Sequence, residues 1–211
     1  MYEGMRMNGS CAKIKNLPLL IDPVSIPGVK GLIGISSCPG MKDESSCFDL
    51  YGECMIDDLL TIRNWGAVAL VTLLDESEFN SLGVKDLPMK AVSLNLLWLH
   101  LPIRNLGIPD DKFDEQWTWA GPRLNLILRE GQRIVIHCKE GIGRAGLVAV
   151  RLMIELGMAP AQAIKAVQKA RPGSLQLYSH EKYCYSLAGE GKNAAVADGM
   201  QTQAGSCFKC S

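Results

Sequence analysis

Apolar and polar positions along this chain change period several times, and each change marks an element. Residues 31–37 (G-L-I-G-I-S-S), 67–73 (A-V-A-L-V-T-L), 97–103 (L-W-L-H-L-P-I) and 133–137 (R-I-V-I-H) are short, nearly continuous apolar runs. Runs of that length, bounded by turn residues, predict strands buried on both faces. Between them the apolar positions recur at helical spacing. Met55, Leu59, Leu60 and Ile62 give residues 55–65 one apolar face, ended by Gly66. Residues 111–130 predict a longer helix carrying Trp117 and Trp119, with a kink or break at Pro122. Residues 147–156 are apolar over a helical length, and Pro160 opens a further helix in the position proline favours. Ala163, Ile164, Val167 and Ala170 form its stripe, and Pro172-Gly173 stop it. A turn of helix at 77–81, a short helix at 89–96 and a last one at 180–187 complete the set. Residues 18–27, with three prolines, read as an extended edge or loop, and 41–54 as a polar loop.

Strands alternating with helices predict an α/β fold: a central, mostly parallel sheet flanked by helices, with its ligand site at a strand's carboxyl end. The 211 residues suit one domain over 11–188, with a flexible N-terminus at 1–10 and a small, Gly/Ala-rich disordered tail at 189–211.

Charge adds little to this picture. Twenty-two basic residues balance 22 acidic ones, so no general attraction to nucleic acid or to a membrane surface is expected, and any anion recognition is local. The apolar run after Lys15 is interrupted by Asp22 and Pro23, which argues against a signal peptide, and 66–74 is too short to span a bilayer. Eight irregularly spaced cysteines in a chain of this size fit reduced thiols and a cytoplasmic location.

The candidate chemistry sits in one stretch, Q-R-I-V-I-H-C-K-E-G-I-G-R-A-G, ending at Gly146. A strand feeds a glycine-rich loop, which feeds a helix N-terminus, and that geometry gathers backbone N–H groups around an anion. Inside the loop Cys138 and Arg144 are separated by five residues. A thiol among N–H donors beside a fixed positive charge ionises easily, and the thiolate is the nucleophile. A guanidinium forks onto two oxygens of a phosphate.

This His137-Cys138-x5-Arg144 stretch resembles the signature of the cysteine-dependent protein tyrosine and dual-specificity phosphatases. Residues 31–43 (G-L-I-G-I-S-S-C-P-G-M-K-D), the H-L-P-I at 100–103 and Arg171-Pro172-Gly173 are similar to the kinase-associated phosphatase branch. The resemblance implies phosphomonoester hydrolysis through a cysteinyl-phosphate, on phosphotyrosine and also phosphoserine or phosphothreonine proteins. No metal or other cofactor is implied. It makes Cys138 the nucleophile and Arg144 the clamp. The backbone of Lys139, Glu140, Gly141, Ile142, Gly143, Arg144 and Ala145 becomes the phosphate cradle.

Three positions depart from the family pattern. Asn105 stands where the family has an aspartate as general acid, and an amide has no such proton to give. Asp110 and Asp111 lie on the same loop, and Asp110 is taken as the acid, although an Asp before a helix is also an ordinary N-cap. Ala145 replaces a hydroxyl residue, and His180 matches a glutamine that places water in many relatives. Together these departures raise an alternative, a weak or inactive phosphate-binding module. Two rival motifs are weaker. Gly141-Ile142-Gly143-Arg144-Ala145-Gly146 is formally G-x-G-x-x-G, but no acidic residue occurs from Leu156 to His180, where dinucleotide binding needs one. Cys207-x-x-Cys210 lacks a second cysteine pair at zinc-site spacing.

Overall fold

The computed structural model describes residues 18–41 and 51–198. Five strands form one sheet: β1 (Asp22–Ser25), β2 (Leu32–Ser36), β3 (Ala67–Thr72), β4 (Leu97–His100) and β5 (Arg133–His137), in the order β1-β2-β5-β3-β4. Only β1 is antiparallel, at the edge, where Pro23 costs least because a ladder donor is missing from one side alone. The four others are parallel, so their carboxyl ends line up.

The two-residue strand period sorts side chains into two cores. Ile134 and Ile136 of β5, with Ala69 and Val71 of β3, face α4 (Asp111–Arg129), α5 (Arg144–Glu155) and α6 (Pro160–Ala170). Val135 and Leu70 point the other way, toward α1 (Tyr51–Asn64), α2 (Glu76–Ser81) and α3 (Leu87–Ser93). Ile134, Val135 and Ile136 are fully buried, each stabilising by about 1.5–3 kcal/mol. This double burial is why β5 reads as an unbroken apolar run.

Several boundaries differ from expectation: α1 starts at Tyr51, inside the segment expected as a polar loop, and α3 sits at Leu87–Ser93 rather than 89–96. The helix carrying Pro122 is not broken: α4 runs through it. Pro122 lies on the exposed side, where solvent satisfies the carbonyl its missing N–H leaves free. Helix α5 begins at Arg144 rather than 147, because the glycine loop delivers helical backbone as soon as Gly143 has turned. Helix α7 (Tyr178–Asp198) extends past 187 into the stretch expected as a tail. The N-terminal segment, much of the polar loop and the Cys207-x-x-Cys210 pair lie outside the described residues. Among the described residues, no helix is long and apolar enough to cross a membrane.

Candidate active site

β5 ends at His137, and the chain must turn at once between β2 and α6. Gly141 takes φ +75°, and a Cβ there would lie 2.4 Å from the Ser36 carbonyl oxygen, so only glycine fits. Three outside donors hold the loop's carbonyls: Cys38 N on Lys139 O (3.0 Å), Arg171 Nη2 on Glu140 O (2.7 Å) and Leu175 N on Ile142 O (2.9 Å). In a trans peptide the N–H opposes the C=O. Pulling these carbonyls outward therefore turns the amides of residues 140, 141 and 143 inward. Gly141 N accordingly donates to Cys138 Sγ at 3.2 Å. Gly143 caps α5, whose first-turn N–H groups lack intrahelical acceptors. The result is a cup of donors around one buried thiol. Leu175, buried beside Gly146, holds left-handed backbone at φ +59° to make its clamp, a strained conformation for a leucine.

Arg144 is buried and fully oriented. Its Nη1 donates to Glu78 Oε2 (2.5 Å), Ile103 O (3.0 Å) and Leu73 O (3.3 Å), and its Nη2 to Glu78 Oε1 (2.7 Å). That leaves Nε–H and one Nη2–H for a ligand. Burial disfavours the guanidinium charge, but Glu78 and the Cys138 sulfur outweigh it and hold its pKa above the ordinary value. Glu78 serves twice, since its Oε2 also accepts from Asp75 N at 2.9 Å and closes the capping box of α2. Glu78 was not anticipated as a site residue. Its signal was Asp75-x-x-Glu78, a D-x-x-E pattern directly after a strand.

His137 is buried beneath the loop. Its Nδ1 reaches Cys138 O at 3.3 Å, an oxygen that only accepts, so the ring proton is on Nδ1. Nε2 is then an acceptor, and Thr72 Oγ1 donates to it at 2.8 Å while receiving Trp98 Nε1–H at 2.9 Å. Burial lowers the His137 pKa to about 4, which suits a fixed neutral tautomer and a loop-holding role rather than a base.

A cavity of about 270 Å³ opens over the loop. Cys138, Gly143 and Arg144 line it, with Lys139, Glu140 and Ile142 around them. Asn105 and Leu106 line it from the segment after β4, Gln176 and Leu177 from the residues before α7, and His180 from its first turn. The structure thus brings together the thiol, the guanidinium, and the three positions near the cavity that depart from the family pattern: Asn105 and His180 on its walls, Ala145 buried behind it. It does not bring Asp110 there. Asp110 is exposed and caps α4, its Oδ1 accepting from Phe113 N at 3.0 Å, the alternative its position before a helix allowed. Cys38 is a buried free thiol, as is Cys138; burial raises the Cys38 pKa well beyond the usual range. Among the described residues, no group of three His, Cys, Asp or Glu side chains is placed to hold a metal ion.

This sheet, with a thiol-and-arginine loop at the end of its central strand, is shared with solved phosphatases. A kinase associated phosphatase, crystallised with its catalytic-site cysteine replaced by serine, shares it at TM-score 0.73 and 22% identity, over 86% of this chain and 99% of that one. Tk-PTP in its active form does so at TM-score 0.59 and 22% identity, over 80% and 97%. At such identities the likeness is one of fold. A protein of Dictyostelium discoideum described as probable protein tyrosine phosphatase type IVA A is 29% identical over 96 residues, 43% of this chain and 52% of that protein. The chain thus spans about half the length of that relative. Residues 50–158 match the family described as Tc-R-P: Polymorphic toxin system, DSP-PTPase phosphatase. The chain belongs to this DSP-PTPase phosphatase family.

Proposed function

We propose that the chain hydrolyses phosphate monoesters in two steps, with Cys138 as nucleophile. The Cys138 thiolate attacks phosphorus and the ester oxygen leaves; water then attacks the cysteinyl-phosphate and the thiolate is released. Arg144, through Nε–H and its free Nη2–H, and the backbone N–H groups of the cradle at residues 139–145, those of 140, 141 and 143 turned inward, hold the equatorial oxygens throughout, where charge sits in the transition state. The observation that carries this reading is the Gly141 N–H on Cys138 Sγ inside the cavity that Arg144 also lines. The thiol is met by an anion-stabilising donor before any substrate arrives.

Its substrates on this reading are phosphotyrosine and also phosphoserine or phosphothreonine proteins, which the match to a DSP-PTPase family supports. The matches at residues 31–43, 100–103 and 171–173 support the kinase-associated phosphatase-like branch, and we take residues 11–188 as the catalytic domain. A thiol of this kind needs a reducing compartment such as the cytoplasm. Asn105 and Ala145 favour a second reading, in which the site binds phosphate and turns over little.

The test is para-nitrophenyl phosphate hydrolysis by the wild type and Cys138→Ser, with dithiothreitol and EDTA. The proposal expects turnover that survives EDTA and is lost in C138S. Turnover by C138S at the wild-type rate would overturn it. No turnover by either, with phosphopeptide binding that needs Arg144, would establish the second reading.

A further inference from the structure

The cavity wall holds one side chain whose polar atoms have nothing to do. His180 is 2% exposed, and neither ring nitrogen makes a hydrogen bond of good geometry in the protein, although the Leu106 and Gly107 backbone lies close by. Its Cε1 faces the phosphate loop, where a Cβ on Gly143 would come within 3.1 Å. A buried, unpaired imidazole costs stability unless a ligand or water completes it. His180 lines the same cavity as Cys138 and Arg144, and stands on its wall together with Asn105, the position with no proton to give.

Resting on the two-step reading above, we propose that His180 is the general acid and base of this site. In the first step the S–P bond forms, the P–O ester bond breaks, and the imidazolium gives its proton to the departing oxygen. In the second step a water oxygen bonds to phosphorus, the S–P bond breaks with its electron pair returning to sulfur, and the imidazole takes the water's proton. His180 is thereby recharged for the next substrate, so protons balance over the cycle.

The surroundings suit this exchange. Cys138, Lys139, Glu140 and Arg144 line the cavity with His180, while residues 105–107 bring no ionisable side chain. Glu181 follows it on α7, and Arg171, near the loop, is committed to Asp22 and the Glu140 carbonyl. Burial lowers the His180 pKa, opposed by the nearby Leu106 and Gly107 backbone. In the free enzyme the acid form therefore declines below about pH 6.5.

The experiment follows kcat/KM against pH for phenyl phosphate and para-nitrophenyl phosphate with wild type, His180→Gln and Asp110→Asn. Glutamine can still place water but transfers no proton, and asparagine still caps a helix. The wild type should show a descending limb beginning below about pH 6.5, which H180Q loses and D110N keeps. At pH 5.5, H180Q should fall by about 100-fold on phenyl phosphate and far less on para-nitrophenyl phosphate, whose leaving group departs without a proton. A limb unchanged in H180Q, an equal loss on both substrates, or a limb lost in D110N would overturn the proposal. Phosphocysteine formation with any of those results leaves the two-step reading standing; no phosphocysteine and no phenol from the wild type at any pH overturns both. Melting curves establish that each variant is folded, and His180→Asn repeats the test should H180Q not fold.

Discussion

Removing Glu78 should unseat Arg144, and the structure sets the size of the effect. The carboxylate is 11% exposed and the guanidinium 3%, so neither charge has much water to fall back on. Glu78→Ala deletes both charge-assisted bonds and the Asp75 N–H bond, leaving a buried cation without its anion. Breaking a buried pair on one side costs about 3–5 kcal/mol, against roughly 0–1 kcal/mol for a surface pair. For a domain of this size about 1 kcal/mol moves the melting temperature by roughly 2–4 °C, so E78A should melt some ~6–20 °C lower. Glu78→Gln keeps the volume but not the charge, and should recover only a small part. The decisive variant is the double one, E78A with Arg144→Leu. If the penalty is the orphaned charge, the double variant is more stable than E78A alone. The assay is thermal and urea unfolding followed by circular dichroism. A melting temperature within about 2 °C of wild type for E78A and E78Q, or strict additivity in the double variant, would refute the reasoning.

Two further outcomes follow from the site. His137 is neutral when folded, with its pKa down from 6.5 to about 4, so the unfolded chain binds the extra proton between those values. Its contribution is complete above pH 6.5 and lost as pH falls toward 4, about 3 kcal/mol in all. The urea-unfolding free energy of the wild type should therefore drop by that much more than that of His137→Asn across this window; parallel curves would contradict it. On the proposed two-step mechanism Ala145 offers no hydroxyl to the departing thiolate, so Ala145→Ser should speed the second step by roughly 10-fold or more. A burst of nitrophenol in the wild type that vanishes in A145S is the expected sign, and an unchanged burst the contrary one.

How much of this was legible depended on whether the governing contact was local. The strand at 133–137 and the helix opened by Pro160 declare themselves, because burial on both faces and a fixed proline φ act within one element. The loop that joins Cys138 to Arg144 was legible for the same reason: thiol, glycines and arginine are neighbours in sequence. Glu78 was not, because its meaning comes from Arg144, 66 positions away. Asp110 shows the reverse dependence, on its own helix rather than on a distant partner. Its place on the right loop suggested an acid, but the first turn of α4 took the carboxylate as its cap. His180 was noticed only through its match to a family position; that its ring is buried and unpaired depends on how α7 packs over the loop.

The Arg171 bridge reaches further than the site. It joins Asp22 on the edge strand (2.6 Å) to the Glu140 carbonyl, contacts 149 and 31 residues apart. Pairings of such sequence separation form late, since a long loop must close before they reward it. During synthesis the Cys138 loop leaves the ribosome before Arg171 and Leu175 exist to pull its carbonyls outward. A growing chain thus carries Cys138 without its donor cup, which is assembled only when nearly all of the domain has been made. The cup around Cys138 is in this way a property of the finished fold, withheld from the nascent one.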